Sequence, residues 1–129
     1  MQRQLNETLD VTSAVGHDGV AVVVLTGEID MTNAGAPLAK SLGVLELAPA
    51  GLVVDLRSVG FFGSSGINLL VTVEEQARRR GVPFGVVASH PAVLKPLTMT
   101  GVRMQFPLFP SVADALAGLR AVPAQRRAS

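Results

Sequence analysis

LVVDLRSVGFFGSSGINLL, residues 52–70, runs from a block of apolar residues through a glycine–serine cluster into a stretch with helical spacing. Leu52 to Leu56 reads as a buried strand. Ile67 to Arg80 reads as a helix closed by Gly81, because Gly66, Leu70, Val73 and Ala77 form one stripe at i, i+4, i+7 and i+11. A strand that feeds a helix in this way is half of a βαβ unit. Phe61 and Phe62 follow the strand, and at least one of them is expected in the core. Between Gly63 and Gly66 stand Ser64 and Ser65. As a helix cap, a nucleophile or a phosphate acceptor, Ser64 would make three different proteins.

Outward from this unit the same two periods repeat. Upstream, Leu9 to Val15 and Val20 to Leu25 flank the turn signal His17-Asp18-Gly19, which predicts an antiparallel hairpin whose second strand is buried on both faces. Met31 to Ala48 carries Leu38, Leu42 and Leu45 at helical spacing and stops at Pro49-Ala50-Gly51. Downstream come a buried strand at Val82 to Ala88, a short helix at Pro91 to Met99, and an edge strand at Gln105 to Phe109 interrupted by Pro107. Ser111 to Leu119 forms the last helix, with Ser111 as its N-cap. The order ββαβαβαβα predicts an α/β fold: a mixed, mostly parallel β-sheet packed with about four α-helices through right-handed crossovers. One domain is expected over residues 1–119, its core beginning near residue 9, followed by a flexible basic tail at 120–129.

Composition narrows the function classes. A chain of 129 residues with 48% hydrophobic content is sized for one core. No apolar run approaches the roughly 20 residues of a membrane span, and MQRQLNETLD lacks the apolar centre of a signal peptide. A cytoplasmic protein with no membrane contact is expected. There is no cysteine, hence no disulfide, thiolate nucleophile or thiolate-bound metal. With Arg120, Arg126 and Arg127 set aside, 8 of the 11 basic residues remain against 10 acidic ones, so the body of the chain is slightly acidic. That balance, with no Tyr or Trp for base stacking, argues against a nucleic-acid partner. Arg78 to Arg80 are read as a helix C-terminus complementing the macrodipole.

Parallel strands joined by a helix present their C-terminal ends at one edge of the sheet. The Gly27–Asn33 loop and the loop carrying Ser64 should therefore be neighbours, with Asp30 near Ser64. At a helix start, unpaired N–H groups and the helix dipole favour negative charge, so a phosphoryl group there could be tolerated by the helix while reversing the local surface charge. Capping by Ser64 or Ser65 is the competing structural reading. A hydrolase is poorly supported, since Gly63-Ser64-Ser65-Gly66 is one residue short of a nucleophile elbow, and the two histidines, His17 and His90, fall in predicted turns. No phosphate-binding loop or metal-ligand spacing is present, so no cofactor or metal is expected. Glu28 and Asp30, two apart, would point the same way on an extended segment.

As an ordered set, the motifs resemble those of the STAS domain family and, within it, the stand-alone bacterial anti-sigma factor antagonists. The matching elements are Leu25 to Asp30, Val53 to Phe62, Ser64 to Ile67, Gly81, Leu97 to Val102 and Phe109 to Leu116. The resemblance implies a partner-switching module rather than an enzyme. Such a module binds an anti-sigma factor, often itself a serine kinase, and so frees a sigma factor; phosphorylation of a serine at the start of the second helix prevents binding, and a phosphatase restores it. The serine in that position is Ser64. The implied docking surface comprises Glu28, Asp30, Thr32, Asn33, Gly63, Ser64, Ser65 and Gly66. The family pattern is D-S-S-G, and Gly63 stands where the Asp would be. Normal phosphorylation, slow phosphorylation and none remain as alternatives, the last corresponding to a scaffold or a small-ligand-binding subunit.

Overall fold

The computed structural model describes residues 9–120, so the expected tail from 121 onward lies outside the described residues. Five strands, β1 (Leu9–Val15), β2 (Val20–Glu28), β3 (Gly51–Phe61), β4 (Phe84–Val87) and β5 (Leu108–Phe109), form one sheet in the order β1-β2-β3-β4-β5. β1 is antiparallel to β2, and the later pairs are parallel. The helices are α1 (Gly35–Glu46), α2 (Gly63–Arg79), α3 (Pro91–Met99) and α4 (Val112–Arg120). A mixed, mostly parallel α/β sheet with four helices is therefore what the chain forms.

Alternation along the strands divides the core in two. Ala21, Val23, Leu25, Leu52, Val54 and Leu56 pack with residues of α1, α2 and α3, including Leu45, Leu70, Val73 and Leu97. Val20, Val53 and Val87 face the other way, against Ala115 and Leu119 of α4. A single helix covers that second side, which corrects one expectation: β2 is fully buried on one face only, and Val22 and Val24 are half-buried.

Several boundaries move for physical reasons. α1 begins at Gly35, not Met31, because residues 30–34 form a turn closed by the Asp30 carbonyl, which accepts from Asn33 N and Ala34 N. β3 extends beyond Leu56 to Phe61, held by pairing of Thr26, Gly27 and Glu28 with Ser58, Val59 and Phe61 across a bulged register. The edge strand expected at Gln105 to Phe109 shrinks to Leu108–Phe109, and a 3-10 turn occupies Val102–Met104. The α2 C-terminus falls at the arginines as read, with Glu74–Arg78 and Glu75–Arg79 ion pairs at i, i+4. Asp55, buried in β3, is paired two residues on: its carboxylate accepts from Arg57 N, Nε and Nη2 at 3.1, 3.0 and 2.9 Å.

Candidate functional site

β2 and β3 run parallel, so Glu28 and Phe61 end side by side, and Ile29 N donates to Phe61 O at 2.9 Å. That bond fixes the Asp30 turn against the start of α2. The two loops expected to meet do share one edge of the sheet.

The Asp30 turn is self-contained. Asp30 Oδ1 accepts from Thr32 N at 2.8 Å and from Thr32 Oγ1 at 2.5 Å, an Asx-type turn. Asn33 closes it from the other side: its Oδ1 accepts from Asp30 N at 3.0 Å and its Nδ2 donates to Glu28 O at 2.9 Å. These bonds to the charged form, led by the Thr32 hydroxyl, hold the Asp30 carboxyl below its ordinary value. Ile29 is buried between the exposed Glu28 and Asp30. The strand ends at Glu28, and the exposed–buried–exposed pattern of Glu28, Ile29 and Asp30 is that of two carboxylates on one side of the segment, Asp30 Oδ1 being taken up by Thr32.

The start of α2 is built differently. The helix runs from Gly63, four residues before the start read at Ile67, and its N-cap position is Phe62, whose side chain makes no capping bond. Neither Ser64 nor Ser65 is the N-cap. Both lie in the first turn, Ser64 exposed and Ser65 half-buried. What positions the turn is Phe62, 1% exposed, whose ring fills the space beside Gly66: a Cβ there would stand 2.5 Å from the ring. Gly66 is therefore a packing glycine. Gly63 has φ +59, a left-handed conformation that L side chains rarely adopt. Phe61, one residue before the buried Phe62, is 52% exposed.

Asp30 and Ser64 share this edge of the sheet, with the Asp30 Oδ1 bonded within its own turn. A groove of about 240 Å³ opens beside them between α1 and α2, lined by Met31, Ala34, Leu38, Ser65, Asn68, Leu69 and Thr72 among others. Its polar wall was not singled out from sequence. The signal was there, since Ser65, Asn68 and Thr72 fall at i, i+3 and i+7 on one side of α2. His17 sits in the β1–β2 turn at the far end of the sheet, and His90 caps α3, its Nδ1 accepting from Ala92 N at 3.0 Å. Among the described residues there is no group of three His, Cys, Asp or Glu that could hold a metal, and no helix long and apolar enough to cross a membrane.

Fold and edge together define the class: a five-stranded α/β domain whose loop edge carries an exposed serine in the uncapped first turn of its second helix. A family model described as the STAS domain matches residues 12–115, and the chain belongs to the STAS domain family. It is 39% identical over 115 residues to the anti-sigma-F factor antagonist RsfB of Mycobacterium tuberculosis, covering 88% of this chain and 92% of that protein. Among solved structures, an anti-sigma factor antagonist from Mycobacterium paratuberculosis superposes with a TM-score of 0.80 at 36% identity, covering 92% of this chain and 99% of the other. The antagonist SpoIIAA in its unphosphorylated form superposes with a TM-score of 0.66 at 18% identity, over 88% of this chain and 100% of that one, a likeness of fold alone.

Proposed function

We propose that this chain is an anti-sigma factor antagonist: it binds and sequesters an anti-sigma factor and thereby frees a sigma factor. The observation that carries the reading is the likeness to an anti-sigma-F factor antagonist across nearly the whole of both chains. Docking uses the loop edge, with Glu28, Asp30, Thr32, Asn33, Gly63, Ser64, Ser65 and Gly66 as its residues. The partner is itself a serine kinase: Ser64 Oγ attacks the γ-phosphorus of ATP, the hydroxyl proton leaves, and ADP departs. A phosphatase hydrolyses the phosphoserine and restores binding. The action is cytoplasmic and needs no catalytic residue, metal or cofactor from this chain.

The geometry supports Ser64 as the switch because its hydroxyl is exposed and unused in capping, at a helix end where N–H groups tolerate negative charge. Modification would add about −1.5 to −2 charges to the docking edge. A tenfold loss of affinity requires only about 1.4 kcal/mol, less than one unpaired charge forced into an interface costs. The test is capture from lysate with wild-type protein and Ser64→Glu in parallel, the captured proteins identified by mass spectrometry. An anti-sigma factor recovered by the wild type alone is expected. Equal recovery by both would remove Ser64 from the mechanism and leave the binding role standing.

Gly63 favours a second reading, a binding subunit without a phosphate switch, since no carboxylate flanks Ser64 on that side. The groove between α1 and α2 is the place such a subunit would hold a small ligand. A mass spectrum of protein incubated with its kinase and ATP separates the two readings: an unmodified Ser64 supports the subunit.

A further inference from the structure

Phe61 and Phe62 are consecutive, yet Phe62 is 1% exposed and Phe61 52%. Leaving a Phe half in water forgoes about half of the roughly 1.5–3 kcal/mol that full burial gives, so one placed beside the docking edge calls for a reason. The ring also lies close to Gly63. Its Cε2 and Cζ lie 3.4 and 3.5 Å from where a Cβ on Gly63 would stand, so it lies along the backbone of the residue that precedes Ser64. Gly63 itself has a left-handed φ of +59. The turn bonded to Phe61 through Ile29 N carries a second exposed apolar side chain, Met31, 86% exposed. The carboxylate in that turn, Asp30, is already engaged by Thr32. Beside the exposed carboxylates of Glu28 and Asp30, the edge thus presents apolar side chains and hydroxyls, with Phe61 the largest apolar one.

We propose that Phe61 is the residue with which this chain selects its anti-sigma factor, and that the matching face of that factor is an apolar pocket. This rests on the function proposed above and names the chemistry of its partner. It also fixes how the switch acts. For Phe61 to enter an apolar pocket, the neighbouring Ser64 must shed water, and a phosphoryl group there would lose its hydration without gaining a counter-ion. The block is then a desolvation cost, not repulsion between like charges, and salt does not relieve it: screening shortens from about 10 Å at 0.1 M to 3 Å at 1 M and acts on separated charges.

The experiment is calorimetric titration against purified anti-sigma factors: the anti-sigma-F factor of Mycobacterium tuberculosis and those encoded in the same genome as this chain. Phe61→Ala is expected to weaken binding roughly tenfold or more, as loss of an aromatic anchor does, with the unfolding midpoint unchanged. Phe61→Leu should recover most of that loss. The penalty of Ser64→Glu should be the same at about 0.1 M and about 1 M salt. Undiminished binding by Phe61→Ala overturns the inference and leaves the proposed function intact, as does a Ser64→Glu penalty that fades with salt. A wild type that binds none of these factors overturns both.

Discussion

Helices α2 and α4 both carry serine at their beginnings, Ser64 and Ser65 in one and Ser111 in the other. In α4 the Ser111 hydroxyl accepts from Asp114 N at 3.1 Å, closing the helix end in the manner expected from sequence. α3 is closed comparably by His90, with Pro91 in its first turn. In α2 no side chain caps the end, and the first turn is set from beneath by Phe62 against Gly66. The difference shows two ways of fixing a helix start. Capping uses the serine hydroxyl; packing leaves it available for chemistry at the surface.

Replacing what holds each end tests this contrast. Phe62→Ala should have the largest effect, about 3–5 kcal/mol of unfolding free energy by denaturant titration, as a buried aromatic lost from a packed core. A loss below about 1 kcal/mol would mean that α2 is anchored by something other than Phe62. Gly66→Ala should come next, at about 1–3 kcal/mol, because its methyl would stand 2.5 Å from the Phe62 ring. Ser111→Ala should cost about 1 kcal/mol, whereas Ser64→Ala should stay within about 0.5 kcal/mol. Equal costs at the two serines would erase the distinction between a capped and a packed start.

The smallest effect belongs to Asp30. Its folded-state pKa lies below the ordinary 3.8, so what it contributes to stability is fully present above that value and is lost as pH falls through the lowered folded pKa. The Thr32 amide proton, which donates to Asp30 Oδ1 at 2.8 Å, should report the transition by NMR. A midpoint at or above the ordinary carboxylate value would show that the turn is open in solution.

Most of the framework was legible because period-2 and period-3.6 patterns survive folding: the strands and helices occur in the order read, as does the meeting of the Asp30 and Ser64 loops at one edge. The boundaries were not, and the reasons are local. Gly63-Ser64-Ser65-Gly66 has the composition of a loop, yet packing of Phe62 draws it into α2, a tertiary effect that propensity does not register. Met31 to Ala34 has no helix breaker, but Asp30 and Asn33 capture the backbone donors and acceptors that a helix would need. The Asp55–Arg57 pair could have been found, since residues two apart in a strand share a face. Which of Phe61 and Phe62 is buried depends on where β3 ends, and sequence alone placed that end too early.

The strand order follows the chain order without a single inversion, β1 through β5. During synthesis each strand therefore finds its partner already in place, and no strand has to be inserted between two that have paired. The loop edge that carries Asp30 and Ser64, made by β2, β3 and the start of α2, is complete by Arg79, the last residue of that helix. α4 is the last element described and the helix that covers Val20, Val53 and Val87, with Phe109 of β5 packed beside it. A nascent chain can thus assemble this loop edge while one side of its sheet is still bare, and it is α4 that removes this sticky surface from solution.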